Sequence, residues 1–266
     1  MDAAGRSDYN AVNSTRRGTL MKALQNIAQC ARCPLLRRER LCLNRRGKAP
    51  EFCPTARGKK ITDRARREYA EPAVREFARL SSVQEGAGYA GSDRKPGALH
   101  PVKTRIEEIM EFARRMNYSR LGLVFCVGLA REAAAVEQIF ASHGFEVVSV
   151  VCKVGAVPKE EIGVTDAEKI FSGEFESMCN PIAQALFVND ARVHFNVLLG
   201  LCVGHDSLFF KYAQAPTTVL AVKDRVTGHN PLAAVYGRES YFARIKGEGL
   251  PKAPAPKESR PKRKPR

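Results

Sequence analysis

The 266-residue chain contains no apolar run long enough to cross a lipid bilayer. Its longest uninterrupted apolar stretches, such as residues 121–130, are about half of the ~20 residues that a transmembrane helix requires. The first 20 residues also lack the apolar segment of a secretory signal peptide. From these absences we predict a cytoplasmic protein that is neither exported nor embedded in a membrane.

Acidic residues are scarce, with 28 Asp and Glu against 44 Lys and Arg, and the net charge is +16. The excess is local: residues 30–68 carry 13 basic and 4 acidic residues, and residues 247–266 carry 7 and 2. Residues 69–246 carry 20 of each, so most of the chain is neutral. We therefore expect only weak, nonspecific contact with polyanions, made through the basic C-terminal tail.

Four of the eight cysteines, Cys30, Cys33, Cys42 and Cys53, lie within 24 residues. In a chain without a secretion signal, persistent thiols are typically reduced, metal-bound or catalytic. A Cys-x-x-Cys turn grips one ion, and loops of 8 and 10 residues bring the other two thiols back to complete a tetrahedral shell. This spacing predicts a metal module that holds zinc as the first choice and an iron–sulfur cluster as the second. Its role could be purely structural, since the segment has few apolar residues.

Apolar runs alternate with helical patterns along residues 97–246, which is typical of a parallel sheet covered on both faces. Thr104 and Glu107 have the spacing of a capping box, and Asn180 followed by Pro181 is a typical helix start. The sequence thus predicts a doubly wound, mostly parallel α/β domain preceded by the four-cysteine metal module. Strands are predicted at 121–127, 145–152, 195–201 and 218–222, and helices at 104–116, 131–142, 181–188 and 207–212.

Composition divides the rest of the chain into four segments. They are a disordered extension (1–20), the four-cysteine module (21–60), a helical bridge that gives way at Glu85 to a Gly-rich connector (61–96) and a basic disordered tail (247–266).

The remaining thiols come mostly from predicted strand ends, where ligands bind in parallel sheets. Cys126, Cys152 and Cys202 each follow an apolar run and precede a glycine by two or three residues. We expect a second thiol-rich pocket at the carboxyl edge of the sheet, with one of two uses. As a cofactor site it would be formed by Cys126, Cys152, Cys179, Cys202 and His205. As a catalytic site it would use Cys202 or Cys152, with His205 and Asp206.

Two other interpretations of these residues stay open at this stage. Cysteine is a small apolar residue that is common in buried strands, so these four thiols could simply fill the core. His229 lies in a Gly-His-Asn setting similar to the Gly-His-Asp of His205, and Asp206 or Asp224 could orient either imidazole.

Several long motifs resemble one uncharacterised prokaryotic family, catalogued as domain of unknown function eighteen-forty-seven and often labelled only as metal-binding. They are VFCVGL (124–129), VVCKVG (150–155), MCNPIAQA (178–185), GLCVGHDSLFFKY (200–212) and VKDRVTGHNPLAAVY (222–236), preceded by CARC and EFCP. The resemblance covers about residues 29–236 and implies metal binding in a cysteine-rich protein, without naming a reaction.

The sequence favours a cytoplasmic metal-binding protein with redox or small-molecule chemistry at the sheet-edge pocket. Two alternatives remain: a zinc-containing module that binds nucleic acid or senses a ligand, and a metal-free thiol enzyme. The neutral main domain and the lack of a recognisable recognition helix weigh against nucleic acid. The small-molecule ligand and the oligomeric state are left open.

Overall fold

The computed structural model describes residues 28–91 and 97–247. The predicted extension, nearly all of the basic tail and part of the connector lie outside the described residues. Contacts divide the chain into two compact units, Met1–Arg79 and Leu80–Arg266. Within the described ranges, no helix is both long and apolar enough to span a membrane.

The first unit is built from short elements. Two 3-10 turns, Cys30–Arg32 and Arg37–Glu39, precede helix α1 (Pro54–Arg57) and helix α2 (Lys59–Glu68), and helix α3 (Pro72–Ala87) contains the boundary between the units. No residue between 28 and 79 is buried. A segment of this kind has no apolar core with which to offset the conformational entropy that its backbone loses on folding.

The second unit contains a parallel four-stranded sheet. The strands of this unit are β1 (Tyr89–Ala90), β2 (His100–Pro101), β3 (Arg120–Phe125), β4 (Glu146–Val151), β5 (Phe195–Leu199) and β6 (Thr217–Ala221), of which β1 and β2 form a separate antiparallel pair. Strand β3 pairs with β4 on one side and with β5 on the other, and β6 pairs with β5, which gives the order β4-β3-β5-β6. In the register, Phe125 lies opposite both Val151 and Leu199, so three strands end at the same level.

The helices of this unit are α4 (Arg105–Arg115), α5 (Ala130–Ser142), α6 (Pro181–Asp190), α7 (His205–Tyr212) and α8 (Leu232–Tyr236). Helices α5, α6 and α7 each connect two consecutive parallel strands, so the predicted α/β class is confirmed. The predicted caps are also confirmed: Thr104 and Glu107 form a capping box, and the Asn180 side chain accepts a hydrogen bond from the Ala183 amide. Because the strand order changes direction between β3 and β5, a topological switch point lies between these two strands.

The core lies on both faces of the sheet. Strand β5 is buried along its whole length, and Leu121, Leu123 and Val197 have no exposed surface. Each such side chain contributes about 1.5–3 kcal/mol through removal of apolar surface from water. The rigid core therefore supports the loops that leave the carboxyl ends of β3, β4 and β5.

Helix α3 extends further than its sequence indicates. We expected a glycine-rich connector from Glu85, but the helix continues through Gly86 to Ala87. Leu80 and Gln84 are buried one turn apart, and Gln84 donates a 2.9 Å hydrogen bond to Glu111. A glycine inside a helix costs only about 1 kcal/mol relative to alanine, so this packing outweighs the weak local propensity.

Candidate functional site

The first group of thiols surrounds one cavity in the first unit. Cys30, Cys33, Cys42 and Cys53 all line a cavity of about 60 Å³ whose walls include Leu41 and Phe52. The structure thus brings together the four residues that the sequence predicted as metal ligands. Within residues 28–91 and 97–247, however, no group of three or more His, Cys, Asp or Glu side chains is arranged closely enough to hold a metal ion.

Local backbone hydrogen bonds bring these four cysteines to the cavity. The Cys33 amide donates to the Cys30 carbonyl at 3.2 Å, which closes the Cys-x-x-Cys turn. The loop that carries Cys42 is closed by the Leu41 amide, which donates to the Lys48 carbonyl at 2.9 Å. Gly47 permits this approach, because a Cβ atom there would lie only 2.6 Å from the Leu41 nitrogen.

Cys53 differs from the other three thiols in its position at the start of α1. It is the N-cap residue of this short helix, and a hydrogen bond from the Ala56 amide lowers the pKa of its thiol. Backbone amides favour the thiolate, which is the form that binds metal.

The second group of thiols lies at the carboxyl edge of the sheet, in the second unit. Cys126 follows β3 and Cys152 follows β4, and both are buried, with 6% and 2% of their surface exposed. The Cys152 and Cys179 sulfurs are 3.9 Å apart, and Cys126 is hydrogen-bonded to Cys152. His205 is hydrogen-bonded to Cys179. Three of the four predicted thiols and the predicted histidine therefore form one connected group, which we call the sheet-edge thiol cluster (Cys126, Cys152, Cys179 and His205).

An excursion between β4 and α6 brings Cys179 next to Cys152. The chain leaves the sheet after Cys152 and returns through an antiparallel bridge between Pro158 and Ser177. The Met178 amide then donates to the Val157 carbonyl at 2.8 Å, and the Asn180 amide donates to the Cys152 carbonyl at 2.7 Å. Backbone pairing across the excursion therefore places Cys179 beside Cys152.

Ion pairs of two lysines stabilise this excursion. The Lys169 side chain, only 5% exposed, contacts the half-exposed Glu160 and Asp166, and Lys159 contacts Glu176. The sequence did not predict these pairs, because they depend on how the excursion folds back on itself. Two lysines among five glutamates and one aspartate along residues 159–176 were the only signal available.

The thiol cluster has strongly shifted pKa values. A hydrogen bond from Cys152, then one from His205, lowers the pKa of Cys179 to about 4. A hydrogen bond from Cys152 also lowers the pKa of Cys126 to about 5, with help from the Gly128 amide and Lys223. The pKa of Cys152 is raised, because its proton is held between these two neighbours, and the bond to Cys179 raises the pKa of His205. The contacts favour the Cys179 thiolate and the protonated form of His205.

Three cationic side chains, from the ends of two strands, lie near these thiols. Lys153 follows β4, and its charge favours the Cys179 thiolate. Lys223 follows β6 and reaches the turn after β3, where a Cβ atom on Gly128 would lie 3.1 Å from its Nζ. Arg225 donates to the Cys202 sulfur at 3.2 Å, and this bond raises the pKa of Arg225, with smaller contributions from the charges of Cys126 and Cys179.

Three predicted residues have different surroundings from those expected. The Cys202 thiol accepts from Arg225, whereas the His205 side chain pairs with Cys179. Asp206 accepts hydrogen bonds from the Gly204 and Ser207 amides, at 3.0 and 2.8 Å, and so caps the start of α7. His229 accepts from the Asp224 amide at 3.1 Å within its own turn.

Sequence comparisons agree with the motifs of this edge. A profile of the family described as "Protein of unknown function (DUF1847)" matches residues 53–220. This chain belongs to that family. The matched region contains the sheet-edge thiol cluster, Cys202 and Cys53, whereas Cys30, Cys33 and Cys42 precede it.

A relative from Methanocaldococcus jannaschii, described as "Uncharacterized protein MJ0455", is 42% identical over 178 residues, which cover 67% of this chain and 84% of the relative. No solved structure gives a significant match to the chain.

Proposed function

We propose that the chain is a thiol-dependent protein whose reactive group is the Cys179 thiolate, paired with His205 at the carboxyl edge of the sheet. The observation that carries this proposal is the 3.9 Å contact between the Cys152 and Cys179 sulfurs, with Cys126 and His205 close enough to them for these groups to shift one another's pKa values. A thiolate next to a protonated imidazole is an activated nucleophile, because the thiolate attacks and the imidazolium can protonate the leaving group.

The position of the cluster in the fold also supports a reactive role. It lies at the ends of β3 and β4, next to the switch point where open parallel sheets bind ligands. At this point Gly200, with φ of +71°, lets the end of β5 approach the turn after β3 closely, since a Cβ atom there would clash with Leu129 at 2.1 Å. Cys179 itself is only half-buried, so a small electrophile can reach its sulfur.

Simple core packing explains this arrangement less well. Cys126 and Cys152 do belong to the hydrophobic core cluster, and Cys179 packs against it. A purely apolar role, however, does not require the histidine partner of Cys179 or the nearby Lys153 and Lys223. Buried or half-buried positive charges are costly unless a negative charge compensates them, and a thiolate would supply that negative charge.

The proposal can be tested by measuring the alkylation rate of every cysteine in one protein. Iodoacetamide labelling, followed by tryptic peptide quantification, should find Cys179 the fastest of the eight thiols at pH 6. His205→Gln should slow Cys179 selectively, while His143→Gln, which changes an exposed histidine on the same unit, should not. Equal rates in the wild type and His205→Gln would contradict the proposal. A different result would be that Cys126, Cys152 and Cys179 resist alkylation until a chelator is added. That result would indicate a metal or iron–sulfur site at the sheet edge.

For the first unit we propose a structural zinc site formed by Cys30, Cys33, Cys42 and Cys53. Two observations support it: the four thiols line one cavity, and no residue from 28 to 79 is buried. Such a segment requires a cross-link, and binding of Zn²⁺ by thiolates can supply about 10–16 kcal/mol of folding free energy. When bound, zinc would act as a closed structural ion, since four thiolates leave no open position for substrate.

Elemental analysis of protein prepared without oxygen tests the zinc site. One zinc per chain, without visible absorption, is the expected result. Iron and sulfide with broad visible absorption would indicate a cluster in place of zinc. Protein with neither metal, and with residues 28–79 nevertheless resistant to protease, would contradict both.

A further inference from the structure

Cys152 and Cys179 are held as neighbours by their backbones as well as by their sulfurs. The Asn180 amide donates to the Cys152 carbonyl at 2.7 Å, next to the 3.9 Å contact between the two sulfurs. A disulfide requires the sulfurs to approach to about 2.05 Å, with Cα atoms roughly 4.4–6.8 Å apart. Rotation of the two side chains can bring the sulfurs most of the way from 3.9 Å to bonding distance, because a backbone hydrogen bond already joins the two chain segments.

The two thiols differ in access. Cys179 is half-buried and has His205 as a partner, whereas Cys152 is 2% exposed and accepts a 3.3 Å hydrogen bond from the Val127 amide. An accessible thiol can react with a substrate from solution. A buried neighbouring thiol can react only with a disulfide that has already formed on the accessible thiol. This asymmetry suits an attacking thiol and a resolving thiol.

We propose that Cys152 and Cys179 form a dithiol–disulfide couple that reduces a small-molecule disulfide, with Cys179 as the attacking thiol and Cys152 as the resolving thiol. This inference rests on the proposed thiolate function of Cys179 and adds the substrate class and the reaction. It requires no oxidant other than the substrate disulfide itself.

In the first step the Cys179 thiolate attacks one sulfur of a disulfide RS–SR′. A bond forms between the Cys179 sulfur and RS, the RS–SR′ bond breaks, and R′S⁻ leaves. The protonated His205, hydrogen-bonded to Cys179, gives its proton to R′S⁻, so the products are a mixed disulfide on Cys179, R′SH and neutral His205.

In the second step Cys152 attacks the Cys179 sulfur of the mixed disulfide. The Cys152–Cys179 bond forms, the bond to RS breaks, and RS⁻ leaves. The proton of Cys152 passes to its hydrogen-bonded neighbour Cys126 and then to RS⁻, which leaves as RSH. Two electrons have moved from the two protein thiols to the substrate, and the two protons have come from His205 and Cys152.

The experiment uses the full chain with its metal content intact and glutathione disulfide as the probe. Free thiols are blocked with N-ethylmaleimide after incubation, and tryptic peptides are mapped by mass spectrometry. Trypsin separates the relevant cysteines, because Cys126 lies in peptide 121–131, Cys152 in peptide 132–153 and Cys179 in peptide 170–192. The expected product is a disulfide between peptides 132–153 and 170–192. Each protein disulfide formed should be accompanied by the release of two molecules of reduced glutathione.

The variant Cys152→Ser should stop the reaction after the first step, so that glutathione stays on Cys179. Cys126→Ser should also accumulate this mixed disulfide, because the proton of Cys152 then has a weaker acceptor. Circular dichroism confirms that each variant is folded, and the wild-type map remains informative if a variant is not.

The outcomes distinguish this inference from the function on which it rests. A Cys179 that is rapidly alkylated but forms no disulfide with Cys152 would overturn the couple and leave the thiolate function intact. A Cys179 that reacts with neither probe would overturn both. A disulfide from Cys179 to Cys202, or glutathione that stays on wild-type Cys179, would overturn the resolving role of Cys152.

Discussion

The two groups of cysteines in this chain occupy opposite environments. Around the first cavity, Cys30 and Cys42 are exposed in a unit in which no described residue is buried. At the sheet edge, Cys126 and Cys152 are part of the hydrophobic core. The comparison shows that the same residue type serves different needs: thiols in a segment without a core are suited to hold it together, while thiols supported by a rigid core can be tuned for reactivity.

Electrostatics separates the two groups further. In the sheet-edge group, neighbouring thiols are the first cause of the lowered pKa values of Cys126 and Cys179, and lysine and histidine side chains add to the effect. In the first group a backbone amide is the main cause of the lowered pKa of Cys53.

The largest expected effect is on the first unit. Replacing both Cys30 and Cys33 with serine should release the metal and make residues 28–79 sensitive to protease, because the unit would lose about 10–16 kcal/mol of binding free energy. The sheet unit should keep its circular dichroism and melting transition. The control Leu43→Ser, beside Cys42 and 59% exposed, should keep its metal. Full metal content in the double variant would refute the zinc site.

A second prediction concerns the support beneath the sheet-edge cluster. Gln184 is fully buried, and its Nε2 donates to the Val150 carbonyl at 2.7 Å and to the Phe125 carbonyl at 3.2 Å. Gln184→Leu would remove both bonds just before Cys126 and Cys152, although the Phe125 carbonyl would keep its 2.9 Å bond from the Cys152 amide. The loss should cost about 1–3 kcal/mol in the free energy of unfolding. Urea denaturation measures this loss. Gln138→Leu, on the exposed face of α5, should change stability by less than about 0.5 kcal/mol.

The third prediction is the pH dependence of Cys179 alkylation. The pKa of Cys179 is lowered to about 4, so its thiolate persists as pH falls and is lost only near that value. At pH 5 an ordinary thiol is ionised to roughly 0.03%, so Cys179 has on the order of 3,000 times more thiolate. A less basic thiolate is also a weaker nucleophile, and this lowers the intrinsic reactivity of Cys179 by roughly two powers of ten. At pH 5 the alkylation rate of Cys179 should therefore exceed that of an ordinary thiol by a factor on the order of ten.

The dependence of the Cys179 alkylation rate on pH is set by the charged and titrating groups around the thiol. They are Cys152, His205, Lys153 and, through His205, Asp206. The rate should be nearly flat from pH 7 to pH 5 and fall toward pH 4. Rates that drop tenfold for each pH unit below 8, as in a small thiol, would show that the cluster does not activate Cys179.

The smallest effect is expected for Asp206→Asn. Asp206 caps α7, and its charge makes only the last contribution to the raised pKa of His205. The variant should lose about 0.5–1 kcal/mol of stability and change the alkylation rate of Cys179 by less than about twofold. A tenfold loss of rate with unchanged stability would return Asp206 to the catalytic role that its sequence position suggested.

Much of the fold could be predicted because its signals are local. Thr104 with Glu107 and Asn180 with Pro181 mark helix starts through hydrogen bonds within four residues, and the apolar runs before Cys126 and Cys152 mark strands. The extension of α3 past Glu85 could not be predicted, since it depends on the contacts of Gln84 with Glu111 and Arg115 across 27 and 31 residues.

The alternation of strands and helices is readable in the local residue patterns. It follows that Cys126 and Cys152 lie at adjacent strand ends, because parallel strands joined by crossovers end on one side. Which thiols meet depends on tertiary contacts. The excursion at residues 153–178 folds back through its own ion pairs to bring Cys179 to Cys152, and α7 directs His205 to Cys179 while Cys202 pairs with Arg225. Side-chain partners at this edge depend on distances of a few ångströms between segments far apart in the chain, and residue spacing in the sequence does not encode those distances.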